Sequence, residues 1–151
     1  MKRYEANRAV IIGGTSGMGL ATAKMLLDGG ARVLVTGRSQ AGLDSARKEL
    51  GERALVVSSD ARSLTDLDAL ATQVKAEFDT FDLLFVNAGF SIPTRLESVT
   101  EAIRPAGEAT DNGKDDRLDP DAIASTYLHL LTQPRNSWSW EIEVRPWVER
   151  F

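Results

Sequence analysis

Between residues 8 and 89 the chain alternates two hydrophobic periodicities, and no other feature restricts its possible folds so tightly. Four short apolar runs, Ala9-Val10-Ile11-Ile12, Val33-Leu34-Val35, Ala54-Leu55-Val56-Val57 and Leu83-Leu84-Phe85-Val86, contain no polar residue. Strands buried on both faces of a parallel sheet read this way, whereas half-exposed strands alternate. The stretches between them have helical spacing. Leu64, Leu67, Leu70, Val74 and Phe78 recur at three and four residues, with Ser63 placed to cap the start. Leu20, Ala23 and Leu27 form a second stripe that ends at Gly29-Gly30, and Leu43, Ala46 and Leu50 form a shorter third before Gly51. The order β-α-β-α-β-α-β predicts right-handed crossovers and a doubly wound parallel α/β sheet. In such sheets ligands bind beyond the carboxyl ends of the strands, where the strand order reverses.

Composition narrows the function classes. The 151 residues suit one domain with a single core. The absence of cysteine excludes a disulfide framework, a CxxC redox site and thiolate zinc, and suits a reducing compartment. A net charge of −4 and a pI near 5.1 argue against a general nucleic-acid binder, which needs a basic face. No run approaches the roughly 18 apolar residues of a membrane span. The polar opening Met1-Lys2-Arg3-Tyr4-Glu5 lacks the apolar stretch of a secretory signal, so the expected setting is the cytoplasm, with no membrane partner.

The predicted strand ends carry the chemistry. Directly after the first comes Gly13-Gly14-Thr15-Ser16-Gly17-Met18-Gly19, opening into a helix. Glycines permit a tight turn and close backbone approach, so free N–H groups at the helix start can face a pyrophosphate. A merely flexible turn is the alternative, but the position between a buried strand and a helix favours phosphate.

The Gly-x-x-x-Gly-x-Gly spacing resembles the short-chain dehydrogenase/reductase family. Further matches follow in order: Thr36-Gly37-Arg38 at the end of the second strand, Asp60 after the third, and Asn87-Ala88-Gly89 after the fourth, where the family commonly has Asn-Asn-Ala-Gly. Ile12 and Val86 depart from the family pattern, which often has threonine and asparagine there. The resemblance covers about residues 8–90 and implies a Rossmann-like fold that binds a nicotinamide dinucleotide. It assigns the diphosphate turn to Gly13, Thr15, Ser16, Gly17, Met18 and Gly19, and the ribose end to Arg38 and Ser39. Asp60, with Ala61 beside it, would contact the adenine; Asn87, with Ala88 and Gly89, would steady the sheet centre beside the cofactor. The alternative for Asp60 is a place in the turn that starts the next helix.

An acidic side chain after the second strand would pair with the ribose 2′-hydroxyl of NAD(H) and repel a 2′-phosphate, but Gly37, Arg38 and Ser39 stand there. A guanidinium binds phosphate by paired, charge-assisted hydrogen bonds. The expected cofactor is therefore NADP(H) rather than NAD(H); the alternative is that Arg38 is a solvated turn residue.

The family's second half supplies a tyrosine that gives or takes the proton and a lysine four residues later. The only tyrosines here are Tyr4 and Tyr127, followed four residues on by Arg8 and Leu131, so no Tyr-x-x-x-Lys exists in the 151 residues. No catalytic residue can be carried over. The chain end resembles the family again: Asp119 and Pro120 open a helix to about Thr132. The alternating residues Trp138, Trp140, Ile142 and Val144 read as a strand over 138–145. The expected layout is one domain over 1–151, with a cofactor-binding part at 8–90, a flexible loop at 103–118, and a terminal helix and strand at 119–145. That strand would pair in parallel beside the fourth through a right-handed crossover, giving the order 3-2-1-4-5. The first part thus reads as joined to the last, with the catalytic middle absent from this shortened chain.

Other residues have plainer readings. His129 lies in the last helix without a partner at obvious spacing, and a lone histidine makes no metal site. Asp111, Asp115, Asp116 and Asp119 lack an EF-hand's final glutamate. The tryptophans suit core or oligomer contacts. Two functions remain open: an oxidoreductase moving hydride to or from a carbonyl or alcohol, and a non-catalytic NADP(H)-binding regulator or partner subunit of a homologue. A homo-oligomer is open under either.

Overall fold

The computed structural model describes residues 4–5, 7–89 and 119–134. The four apolar runs form strands β1 (Arg8–Ile12), β2 (Arg32–Gly37), β3 (Ala54–Ser58) and β4 (Leu83–Val86), all parallel, in the order β3-β2-β1-β4. Helices α1 (Gly17–Asp28), α2 (Gln40–Leu50), α3 (Leu64–Phe78) and α4 (Pro120–Leu131) accompany them. The order reverses between β1 and β4, which opens a crevice at the carboxyl edge.

The pleat divides the core into two layers. Ala9, Ile11, Val33 and Val35 meet Ala23, Leu26 and Leu27 of α1 and Ala46 and Leu50 of α2 on one face. Val10, Ile12 and Leu34 meet Leu70, Val74 and Phe78 of α3 on the other. Each fully buried leucine or valine contributes roughly 1.5–3 kcal/mol relative to its exposed state, so β1 and β2 anchor the fold. Burial on both faces holds for these two central strands. It does not hold for β4, where Leu84 is 50% and Val86 70% exposed. Their registered partners Val10 and Ile12 lie on the α3 face, and among the described residues no helix reaches far enough along that face to cover the β4 side chains.

Helix α4 starts as expected: Asp119 Oδ1 accepts the Asp121 N–H at 3.0 Å, with Pro120 in the first turn. Its packing differs from expectation. A right-handed crossover from β4 to a strand farther out requires the face that α3 occupies, because that step runs in the same direction as β3 to β4. Helix α4 instead packs on α1, with Leu128 against the α1–α2 core and the Tyr127 ring edge-on to Phe85 at 4.9 Å. It thereby shields the inner face of β4. The expected strand at 138–145 and loop at 103–118 lie outside the described residues. No helix among the described residues is long and apolar enough to cross a membrane.

Candidate functional site

The carboxyl ends of β1, β2, β3 and β4 border one cleft of about 400 Å³. Its floor is the glycine turn after β1. Gly13 turns there with φ of 81°, and a Cβ on it would lie 2.7 Å from the Ala88 Cα. The Gly14 N–H donates to the Thr36 carbonyl at 2.9 Å, and the Gly13 N–H donates to Thr36 Oγ1 at 3.2 Å. From the other side Asn87 Nδ2 donates to the Gly13 carbonyl at 2.9 Å, and the Asn87 N–H donates to the Ile12 carbonyl at 2.9 Å. The turn is thus held between the ends of β2 and β4. Gly37 permits a close approach of Thr15, whose Cγ2 would stand 2.5 Å from a Cβ there.

Helix α1 begins without the usual protection. Its first internal bond runs from the Leu20 N–H to the Ser16 carbonyl at 3.2 Å, so the amides of Gly17, Met18 and Gly19 have no carbonyl partner in the helix. The Ser16 side chain makes no capping bond, and the first turn contains no acidic residue. Gly17 has φ of 53°, and a Cβ there would meet nothing within 4 Å, so the bend is open to the cleft. Free amides, the positive end of the helix dipole and an open approach suit an anion such as a diphosphate.

The side walls carry charge. Arg38, just beyond β2, lines the cleft and has no hydrogen-bonded partner among the described residues. Asp60, beyond β3, is gripped by Arg62: Arg62 Nε donates to Asp60 Oδ1 at 3.1 Å and Oδ2 at 3.2 Å, and Nη2 donates to Oδ2 at 2.7 Å. The Arg62 N–H also donates to Oδ1 at 3.0 Å, closing a turn whose Asp60 carbonyl accepts the Ser63 N–H at 2.9 Å. Hydrogen bonding from the Arg62 side chain and then its backbone lowers the Asp60 pKa from 3.8 to about 2, with smaller through-space contributions from Arg62 and Arg38. The same pairing raises that of Arg62.

The sequence match includes all four strands and the cleft they border. The family model described as short chain dehydrogenase matches residues 7–104. The chain belongs to the short chain dehydrogenase family. An oxidoreductase of Sarocladium schorii is 39% identical over 100 residues, which cover 66% of this chain and 40% of that protein. A 3-beta-hydroxysteroid dehydrogenase of Comamonas testosteroni is 33% identical over 96 residues, covering 64% of this chain and 38% of the relative. Among solved structures, a short chain dehydrogenase from Bacillus anthracis superposes with a TM-score of 0.61 at 29% identity, over 66% of this chain and 41% of that one. The chain therefore spans about two fifths of these relatives. Members of the family bind NAD(P)(H).

Most residues expected for the family's cofactor converge on the cleft. Gly13, Thr15, Ser16, Gly17 and Met18 form its floor; Arg38, Asp60 and Ala61 lie at one end and Asn87, Ala88 and Gly89 at the other. Gly19 lies beneath the floor, where a Cβ would stand 2.8 Å from Asn87 Nδ2. Ser39 is not at the cleft wall: its Oγ accepts the Gly42 N–H at 3.1 Å and caps α2. Sequence reasoning missed Thr36, Ser59 and Arg62, which line the cleft. The signal for Arg62 was a cation two residues after an aspartate at a strand end, the spacing at which both ends of a short turn can pair.

Proposed function

We propose that this chain binds NADP(H) as the dinucleotide-holding part of an oxidoreductase that moves hydride between a nicotinamide and a carbonyl or alcohol. The observation that carries this reading is the bare start of α1 at the cleft floor: three amides without a partner among the described residues, no capping side chain and no acid in the first turn. The amides after Gly13 would hold the diphosphate, Asp60 and Ala61 would border the adenine, and Asn87, Ala88 and Gly89 would border the nicotinamide. The preference for the 2′-phosphorylated form rests on Arg38, an unpartnered guanidinium where an NAD-selective site needs a carboxylate. When bound, the nicotinamide supplies or accepts hydride; this chain's residues grip and orient it. We take the setting to be the cytoplasm, on a cysteine-free sequence.

A second reading is binding without turnover, as a regulator or a subunit paired with a homologue. The observation favouring it is the lack of any Tyr-x-x-x-Lys within the 151 residues. A positioned general acid–base typically supplies about 10²–10⁴-fold in rate. NADPH oxidation over a panel of carbonyl compounds separates the two readings. The cofactor reading itself is tested by fluorescence titration. NADPH should bind roughly ten- to a hundredfold more tightly than NADH, the range expected of one charge-assisted phosphate contact. Arg38→Asp should invert that preference. Absent binding at millimolar cofactor would overturn the reading.

A further inference from the structure

We infer that Arg62, held against Asp60, is a second specificity-determining residue for the 2′-phosphate of the dinucleotide, acting with Arg38 at the same end of the cleft; this rests on the NADP(H) reading above. Among the described residues, the charged side chains that line the cleft are Arg38, Asp60 and Arg62. A dianionic phosphate approaching Arg38 would also meet the Asp60 carboxylate, which is close enough to Arg38 to feel its charge. An unmasked carboxylate there would repel the very group that Arg38 attracts.

Arg62 removes that conflict in two ways. Its Nε and Nη2 occupy both Asp60 oxygens, so the carboxylate presents a neutralised pair to the cleft. A guanidinium has five N–H donors in a planar fork. Those directed at Asp60 account for two of them, and the Nη1 group and the second Nη2 hydrogen remain for a phosphate oxygen. The Arg62 side chain is 73% exposed, so no packing has to break for those donors to be used. Among these lining side chains the local charge is one positive unit with Arg62 and zero without it, so Arg62 strengthens the attraction of this end of the cleft for an anion.

Asp60 is then a positioning residue. Its Oδ1 accepts both the backbone and the side chain of Arg62, so the turn that starts α3 and the orientation of the guanidinium are set together. A purely structural ion pair would make the same bonds. The two roles differ in what they do to ligands that vary only at the 2′ position.

The test uses 2′,5′-ADP and 5′-ADP as probes in calorimetric titrations of the full chain at fixed, low salt. Wild type should favour 2′,5′-ADP. Arg62→Gln should weaken 2′,5′-ADP about three- to tenfold and leave 5′-ADP within twofold, because one charge contact with the phosphate is lost. Adding Asp60→Asn to Arg62→Gln keeps the turn's Oδ1 acceptor and restores the local charge, so the double variant should regain part of the lost preference. Equal losses for both probes, or no loss for either, would overturn the inference while leaving the NADP(H) reading intact. A wild type that does not distinguish the probes would overturn that reading and the inference with it.

Discussion

Helices α1 and α3 both start at the carboxyl edge of the sheet, a few residues after a strand, and their first turns are built in opposite ways. At α3, Ser63 Oγ accepts the Asp66 N–H at 3.2 Å and its hydroxyl donates to Asp66 Oδ1 at 2.9 Å. Asp66 Oδ2 also accepts the Asp60 N–H at 2.9 Å, and its charge faces the positive end of the helix dipole. At α1, Ser16 caps nothing, glycines occupy the turn, and the first turn contains no acidic residue. Every helix start leaves backbone donors unpaired. One of these two caps a donor with its own side chain and gains stability; the other has no side-chain cap and gives up that stability.

The contrast can be broken at several points. The largest effect should come from Gly13→Ala, which forces a side chain into φ of 81° and sets a Cβ 2.7 Å from the Ala88 backbone. The conformation alone costs about 1–3 kcal/mol. Chemical denaturation should register at least that loss, and titration should find dinucleotide affinity down by a hundredfold or more. An unchanged affinity would mean that the turn is not the diphosphate seat.

Met18→Asp makes the start of α1 resemble that of α3. Met18 is partly exposed and lines the cleft, so the new carboxylate would face both the dipole and the ligand. Stability without ligand should rise by about 0.3–1 kcal/mol, while NADPH binding weakens about tenfold or more. Opposite signs in the two measurements are the signature; a fall in both would indicate simple damage. The reciprocal change, Ser63→Ala, removes a cap whose hydroxyl does not line the cleft. It should cost about 1 kcal/mol in urea denaturation and leave NADPH affinity within twofold.

The smallest effect concerns pH. The Asp60 pKa is about 2 in the folded chain, below its ordinary 3.8. A depressed carboxylate adds stability that is fully present above the ordinary value and is lost as the pH falls from 3.8 toward 2. An NMR titration of the Asp60 carboxyl carbon should find its midpoint near 2, and Arg62→Gln should return it toward 3.8. An identical midpoint in both proteins would refute the pairing.

Much of the cofactor half was legible because its determinants are local. Capping by Ser63 and Asp119 depends on residues two or three positions away, and both caps form where the spacing predicts them. The glycine turn was readable for the same reason. Ser39 misled, since one hydroxyl cannot be read as cap or ligand until Gly42 is seen to take it. The burial of β4 misled too: Leu84 and Val86 have the composition of a central strand, but their exposure depends on what covers the far side of the sheet.

By itself the sequence determined the four described strands and the helices between them, the caps at Ser63 and Asp119, the glycine turn and the family, because periodicity, backbone freedom and side-chain reach act within a few residues. Tertiary structure alone decided that α4 packs on α1 and shields Phe85. It also decided that Arg38 and Arg62, 24 residues apart in the chain, border the same cleft around one carboxylate. Those outcomes depend on which surfaces meet when the sheet assembles, and on Coulomb interactions between groups that only the sheet order brings to a common edge.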